Sequence, residues 1–304
     1  MSEKIKIAAV VGPTAGGKTS LAVELAKRAN GEIICCDSMQ IYKQMKIGSA
    51  APTEEEKEGI PHHLFDFVPV DVNFSAAEYV PLARKAIEEI SSRGKLPILC
   101  GGTGLYLESL MYQSDYSPSV NPAIREELNT KDDDTLYAML SEYDPDSAQT
   151  IHKNNRKRVI RALEIYLGTG KTKTEWDALS RTKESIYDAH VFVLSYRDRD
   201  TLYERINRRV DIMFDMGLVD EVKSIDFPVG STAGDAIGYK ELREYFNGNI
   251  TLEQAKEDIK QATRRYAKRQ ITWFKREKSA VSLYADDYDS VEDIVNIVLN
   301  YLTK

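Results

Sequence analysis

The stretch "VVGPTAGGKTS" (residues 10–20) decides the fold. Gly12, four intervening residues and Gly17-Lys18-Thr19 fit G-x-x-x-x-G-K-[ST], a loop (Gly12, Pro13, Thr14, Ala15, Gly16, Gly17, Lys18, Thr19) whose backbone N–H groups cradle an anion. In such a loop the lysine adds a point charge and the threonine hydroxyl reaches Mg²⁺. The surroundings agree. "KIKIAAVVG" (4–12) ahead of it reads as a buried strand, and "KTSLAVELAKRA" (18–29) behind it repeats apolar residues at helical spacing. A phosphate held there sits at the positive end of that helix. The loop names phosphate without naming a reaction.

Further strands are expected at "EIICCD" (32–37), "LPILCGG" (96–102) and "HVFVLSY" (190–196), with helices at 77–92 and 201–216. Strands alternating with helices predict an α/β fold of the P-loop kind, a mostly parallel sheet flanked by helices. Ligands of such sheets bind beyond the carboxyl ends of the strands, where Gly12, Asp37 and the glycines 101, 102 and 104 fall. From about 115 to 188 strand signals fade, leaving polar helical segments and turns such as "SPSVNP" and "DPDS". The expected organisation is a first part of the core at 1–115, a helical insertion at 116–189, and the rest of the core at 190–304 with a basic C-terminal helix.

Composition narrows the class. The 304 residues carry a net charge of −7, and no apolar run approaches the ~18 residues of a membrane span. Cys35, Cys36 and Cys100 lie in strand-like runs without metal-ligand spacing, as expected of reduced structural thiols in the cytoplasm. The histidines form no metal motif, and nothing demands more than a monomer. The acidic average hides a basic stripe. Residues 260–278 hold eight Lys or Arg and a single Glu. Arg264, Arg265, Lys268, Arg269, Lys275 and Arg276 recur at helical spacing with Tyr266, Trp273 and Phe274 between them. Cations meet phosphates and aromatics stack on bases, so RNA is the favoured partner; a solvated charged face over a core-facing aromatic side is the plainer reading.

Asp37, at the end of a buried strand, reads three ways: a carboxylate holding Mg²⁺, a general base for an acceptor beside the phosphate pocket, or a turn-forming Asp. Ser38 and Gln40 beside it can hydrogen-bond a planar ligand such as adenine. "CGGTGLYLESL" is a second Gly-rich turn, with the Thr103 hydroxyl in it. "NNRKRVIRALEIY" reads as a helix capped by Asn154 or Asn155, with Val159, Leu163 and Tyr166 inward and Arg158 and Arg161 on one face. Arg205 and Arg209, four apart, can clamp a diphosphate or pair with Asp198, Asp200 or Asp211.

With these residues laid out, the chain resembles the tRNA dimethylallyltransferase (tRNA isopentenyltransferase) family. The likeness rests on "GPTAGGKT", "CCDSMQIY", "IPHHLFD", "CGGTGLY", "IHKNNRKRVIRALE", "GLVDEV", "AIGYKEL" and "RRYAKRQITWFKRE", in that order. It implies transfer of a dimethylallyl group from dimethylallyl diphosphate to N6 of the adenosine 3′-adjacent to the anticodon, with Mg²⁺ held through Thr19. Asp37 is then the base, and Lys18, Thr19 and Arg205 or Arg209 stabilise the leaving diphosphate. The resemblance also assigns tRNA contacts to Asp37, Ser38, Met39, Gln40, Thr103, Arg125, Lys157, Arg158, Arg161, Gly238, Tyr239, Lys240, Lys268, Arg269 and Gln270. The chain departs from the common pattern in having Lys153 and Arg156 where many members have prolines, and in ending without the zinc finger of eukaryotic relatives. An adenylate isopentenyltransferase acting on free nucleotides is the main rival; it has little use for the basic stripe. A small-molecule kinase and a non-catalytic RNA-binding protein are the others.

Overall fold

The computed structural model describes residues 4–112, 121–180 and 184–303. Two compact units emerge, one of Met1–Met111 with Tyr187–Lys304 and one of Tyr112–Ile186. The expected boundary at 115/116 and most of "SPSVNP" lie outside the described residues. The boundary expected at 189/190 falls inside a strand that begins at Asp188, because Asp188 and Ala189 already pair with Lys6 and Ile7.

The first unit runs β1 (Lys6–Val11), α1 (Lys18–Arg28), β2 (Gly31–Cys35), α2 (Glu54–Lys57), β3 (His62–His63), α3 (Ala76–Ser92), β4 (Leu96–Gly101) and α4 (Gly104–Met111). The second holds α5 (Pro122–Asn129), α6 (Asp133–Tyr143), α7 (Pro145–Thr150), α8 (Arg156–Thr169) and α9 (Lys173–Ser180). The chain then re-enters the first unit with β5 (Asp188–Ser195), α10 (Arg199–Asp215), α11 (Leu218–Ser224), α12 (Tyr239–Phe246), α13 (Leu252–Phe274), β6 (Val281–Tyr284) and α14 (Val291–Leu302).

The six strands are ordered β3-β2-β4-β1-β5-β6, and every pairing is parallel. Parallel strands are covered on both faces, which is why β1 reads as an unbroken apolar run with Ile7 through Val11 fully buried. One apolar cluster packs Leu21 and Leu25 of α1 with Phe192, Leu194, Leu283 and Val295 and Val298 of α14. Another joins Ile41, Tyr42 and Met45 to Leu218, Tyr239 and Ile259. Beside the edge strand β3, Glu32 of β2 is 3% exposed and is held by His63, Arg93 and Lys95 at 2.6–2.8 Å. Buried carboxylates survive only with such partners. Register fixes what matters most. Val11 pairs with Gly101 and Cys35 with Cys100, so β1, β2 and β4 end side by side.

Among its described residues the second unit is built of helices joined by turns, with no strand. Leu128, Leu136, Leu140, Val159 and Leu163 form its core. Buried Asp144 caps α7 through the Ser147 N–H and accepts the Thr174 hydroxyl at 2.8 Å. Asn155 is the N-cap of α8 without a side-chain bond, and Val159 and Leu163 point inward as expected, while Tyr166 is half-buried on the Tyr143 ring. Arg156 takes Asp133 and the carbonyls of Asn129 and Lys131, so it ties the start of α8 to the α5–α6 turn.

Candidate active site

The loop after β1 folds as its glycines require. Gly12 has φ +141°, and a Cβ there would lie 2.2 Å from the Leu194 carbonyl oxygen of β5. Only glycine lets the loop leave the sheet so close to its neighbour strand. Ala15 is left-handed, φ +59°, and its carbonyl accepts from Arg205 Nε at 3.1 Å. Lys18 Nζ donates to the Pro13 carbonyl at 2.7 Å. Burial pushes its pKa down to about 8, with nearby Arg209 adding to the effect and Cys100 and Asp37 opposing it. A buried ammonium without an acidic partner is costly unless an anion joins it.

Arg209 donates to the Ala50 carbonyl at 3.3 Å; burial is the main reason its pKa is lowered, and Arg205 lowers it further. Among the described residues neither arginine makes an ion pair. Asp198 instead caps α10 through the N–H groups of Asp200 and Thr201, and Asp211 takes Lys256 and Lys260 at 2.9 Å each. Of the two sequence readings, the acid-paired one is therefore absent, and three cations gather at the loop with backbone carbonyls as their partners.

The Asp37 segment lies next to the turn after β4. Cys36 N–H donates to the Cys100 carbonyl, and Thr103 N–H to the Cys36 carbonyl. Ser38 N–H donates to Thr103 Oγ1 at 2.9 Å, and Thr103 Oγ1 lies 3.2 Å from the Ser38 hydroxyl. Asp37 Oδ1 accepts the Met39 N–H at 2.9 Å. Asp37 is half-exposed. Burial pushes the Cys36 thiol up to about 12 and Cys100 to about 11, and Cys35 is raised as well. These thiols are structural, not nucleophilic, at neutral pH.

Several expected RNA contacts sit elsewhere. Gln40 spends its amide donors on the Ser49 and Ala50 carbonyls, which closes the loop over residues 40–50. Tyr239, expected to face RNA, is 1% exposed, and its hydroxyl donates to Glu221 Oε1 at 2.7 Å. Glu221 also accepts the N–H groups of Ile47 and Gly48, so the "GYKE" segment acts here as a support for that loop. Gly238 is buried beside it, and of the three residues only Lys240 is exposed. Gln270 is 4% exposed, its carbonyl on the Thr14 N–H at 2.9 Å and its amide on the Gly102 carbonyl at 3.0 Å. It is committed to the two loops rather than turned to a surface ligand. Lys268 and Arg269 are exposed on α13, with Arg265 one turn earlier. In the helical unit Arg125, Lys157, Arg158 and Arg161 are exposed, although Glu164 grips Arg125 through two bonds of 2.5 and 2.9 Å.

Glu221 and Tyr266 are given no individual site role by the sequence, Tyr266 standing only among the aromatics of the basic stripe. Tyr266 lies near Thr103, Gln270 and Asp37, and burial is the largest cause of its raised phenol pKa. Glu221 enters the sequence reading only within "GLVDEV", without a role, since an acid on a helix reads as solvated. As for a metal, no group of three His, Cys, Asp or Glu residues among the described residues can hold one. What the loop offers is the Thr19 hydroxyl and, at the neighbouring strand end, a carboxylate. That sparse oxygen set fits Mg²⁺, which completes its shell with substrate phosphates and water.

The family model described as IPP transferase matches residues 40–277. A tRNA dimethylallyltransferase of Caldanaerobacter subterraneus subsp. tengcongensis is 47% identical over 307 residues, covering 98% of each chain. That of Bacillus subtilis is 49% identical over 279 residues, covering 90% of this chain and 88% of the relative. Among solved structures, the full-length tRNA isopentenylpyrophosphate transferase of Bacillus halodurans is similar with a TM-score of 0.74 and 42% identity, covering 99% of this chain and 97% of that one. A eukaryotic dimethylallyltransferase acting on tRNA gives a TM-score of 0.84 at 30% identity, covering 98% and 80%.

Proposed function

The chain belongs to the IPP transferase family, and on that premise we propose that it transfers a dimethylallyl group from dimethylallyl diphosphate to N6 of the adenosine 3′-adjacent to the anticodon in tRNA, releasing diphosphate. It acts as a cytoplasmic monomer. No helix among the described residues is long and apolar enough to cross a membrane.

The bond from the allylic carbon to diphosphate oxygen breaks as the bond from that carbon to N6 forms. An exocyclic adenine amine is a weak nucleophile, because its lone pair is delocalised into the ring. Asp37 accepts the N6 proton as the new bond forms, general-base work that needs hydrogen-bond reach. Charge grows on the departing diphosphate. Loop N–H groups not already engaged within the protein, together with Lys18 and the guanidinium groups of Arg205 and Arg209, stabilise that charge. Mg²⁺, held through Thr19, supplies further charge compensation on the diphosphate oxygens when bound. The acceptor base leaves the RNA stack to reach the strand ends, where Ser38 and Thr103 orient it. Lys268, Arg269, Lys240 and, on the helical unit, Arg125, Lys157, Arg158 and Arg161 meet RNA phosphates.

The observation that carries this reading is the crowd of cations at the first loop. Lys18, Arg205 and Arg209 surround it with the carbonyls of Pro13, Ala15 and Ala50 as hydrogen-bond partners and, among the described residues, no ion pair, so the pocket suits a multiply charged anion. The test is incubation with labelled dimethylallyl diphosphate and Mg²⁺, offering unmodified tRNA in one reaction and AMP or ATP in another. Label on an anticodon-adjacent adenosine is expected. Label confined to the free nucleotide would move the acceptor to the rival class.

A further inference from the structure

A buried amide in the middle of a basic helix demands an explanation. Gln270 lies on α13 between exposed Arg269 and half-buried Ile271, yet it is itself 4% exposed. A buried amide left unpaired is costly. Both of its ends are committed, and to different loops. Oε1 accepts the N–H of Thr14, in the anion-binding loop after β1. Nε2 donates to the carbonyl of Gly102, in the turn after β4. The residue after Gly102 is Thr103, which holds Ser38 beside Asp37. One planar group thus spans from the loop that holds the leaving group to the turn that holds the base.

The neighbours show how tightly this is set. A Cβ at Gly102 would come within 2.1 Å of Gln270 Nε2 and 3.4 Å of Asp37 Oδ2, so the amide takes the space a side chain would need there and the carboxylate lies beside it. Three residues further along α13, the Trp273 ring covers Gly104, where a Cβ would lie 2.1 Å from Cδ1. Three residues earlier, Ala267 is fully buried in a cluster with Ala15 of the anion-binding loop, Leu202 and Ile206. The inner face of α13 is therefore seated on both loops at successive turns. Its outer face carries Arg265, Lys268 and Arg269.

We propose that Gln270 is a positioning residue for the transfer step: its side-chain amide fixes the separation between the anion-binding loop and Asp37, and it does not bind RNA. The inference rests on the reaction proposed above. An amide is suited to the task because it offers an acceptor and a donor on one rigid plane. A carboxylate at this site would turn two acceptors toward one N–H and one carbonyl, whereas a protonated carboxylic acid would restore the donor. Misplacement of reacting groups by about 1 Å can cost roughly a hundredfold in rate.

The experiment compares wild type, Gln270→Ala and Gln270→Glu in steady-state transfer of labelled dimethylallyl groups to tRNA between pH 6 and 8.5, with thermal melts of each. Gln270→Ala is expected to lower kcat by roughly a hundredfold while KM for tRNA and for the donor changes less than about threefold. Gln270→Glu is expected to recover relative to wild type as the pH falls, because protonation recreates the donor–acceptor pair. The ratio to wild type removes those titrations that the two proteins share. A raised KM for tRNA at unchanged kcat would make Gln270 an RNA contact and overturn the proposal. So would a Gln270→Glu ratio that stays constant with pH in a folded protein, and that variant serves as the test should Gln270→Ala fail to fold. Wild type run alongside separates the two levels. No label in tRNA from wild type refutes the reaction; labelled tRNA with indifferent variants refutes the brace.

Discussion

Ser38 N–H rests on Thr103 Oγ1 at 2.9 Å, a bond that spans 65 residues of sequence and joins the segment after β2 to the turn after β4. It is a side-chain bond replacing the ladder just where the strands end. Thr103→Val keeps the shape but leaves the Ser38 N–H without its acceptor, at a cost of about 1 kcal/mol for a half-buried group. The expected outcome is a slightly lower melting temperature and a kcat reduced about tenfold, with Thr103→Ser near wild type. Melting curves and steady-state kinetics on tRNA check both.

Asp37→Asn retains an oxygen for the Met39 N–H and so preserves the local turn. Loss of a general base costs about 10²–10⁴ in rate. Single-turnover transfer should slow by at least a hundredfold, while tRNA affinity measured by filter binding stays within about threefold. A rate near wild type would remove Asp37 as the base.

Lys18 gives a pH signature. Its folded pKa is about 8 against an ordinary 10.5. The unfolded chain therefore binds more protons between those values, so the burden of the buried charge is present below pH 8 and is relieved as the pH rises from about 8 to 10.5. An arriving diphosphate favours the charged lysine again. At pH 9, calorimetry in buffers of different ionisation enthalpy should show wild type taking up more protons on binding diphosphate than Lys18→Met does. At pH 7 the two should agree. Lys18→Met is also expected to melt higher than wild type without ligand, and to bind diphosphate more weakly.

RNA affinity should be steeply salt-dependent. Each lost phosphate contact removes about 0.7–0.9 from the slope of log K against log salt. Replacing Lys268 and Arg269 by alanine should flatten that slope by about 1.5, raise KM for tRNA and leave donor binding unchanged. An unaltered slope would make the outer face of α13 a merely solvated one.

Glu32 contributes to the sheet edge. The hydrogen bonds from Lys95, His63 and Arg93 hold its pKa near 2 despite the opposing effect of burial. Because the folded value is depressed, its contribution is fully present above about pH 4.5 and is lost as the pH falls toward 2. Glu32→Ala leaves partly exposed cations uncompensated and should cost about 2 kcal/mol at pH 7. Denaturant midpoints against pH check the difference, which should shrink in acid.

The sequence was most legible where chemistry and periodicity coincide. The run before Gly12 is apolar without interruption because β1 is central in the sheet, and Gly17-Lys18-Thr19 needs a helix start to work. Asp37 could be placed at a strand end for the same reason. β3 and β6 were not legible. His62–His63 and Val281–Tyr284 are too short to show a period, and they become strands because β2 and β5 offer them an edge. Tyr239 and Gln270, assigned to tRNA by the resemblance, have side chains whose burial was not legible. Each sits in a charged stretch that reads as surface, yet each faces inward, and polar groups pointing inward leave no hydrophobic period. Their partners, Glu221 at 18 residues' distance and Thr14 at 256, exist only in the folded chain.

The order of the strands has a consequence for synthesis. β1 emerges first but lies between β4 and β5, and its flanking helix α1 is packed by α14, whose last residue is Leu302. The sheet and its flanking layer therefore cannot be completed until β6 and α14 have left the ribosome. The helical unit between α4 and β5 closes its core with contacts local in sequence, and such contacts form quickly. On a growing chain it should be the first part to resist protease, while the residues that hold the leaving group wait for the last strand and helix to arrive.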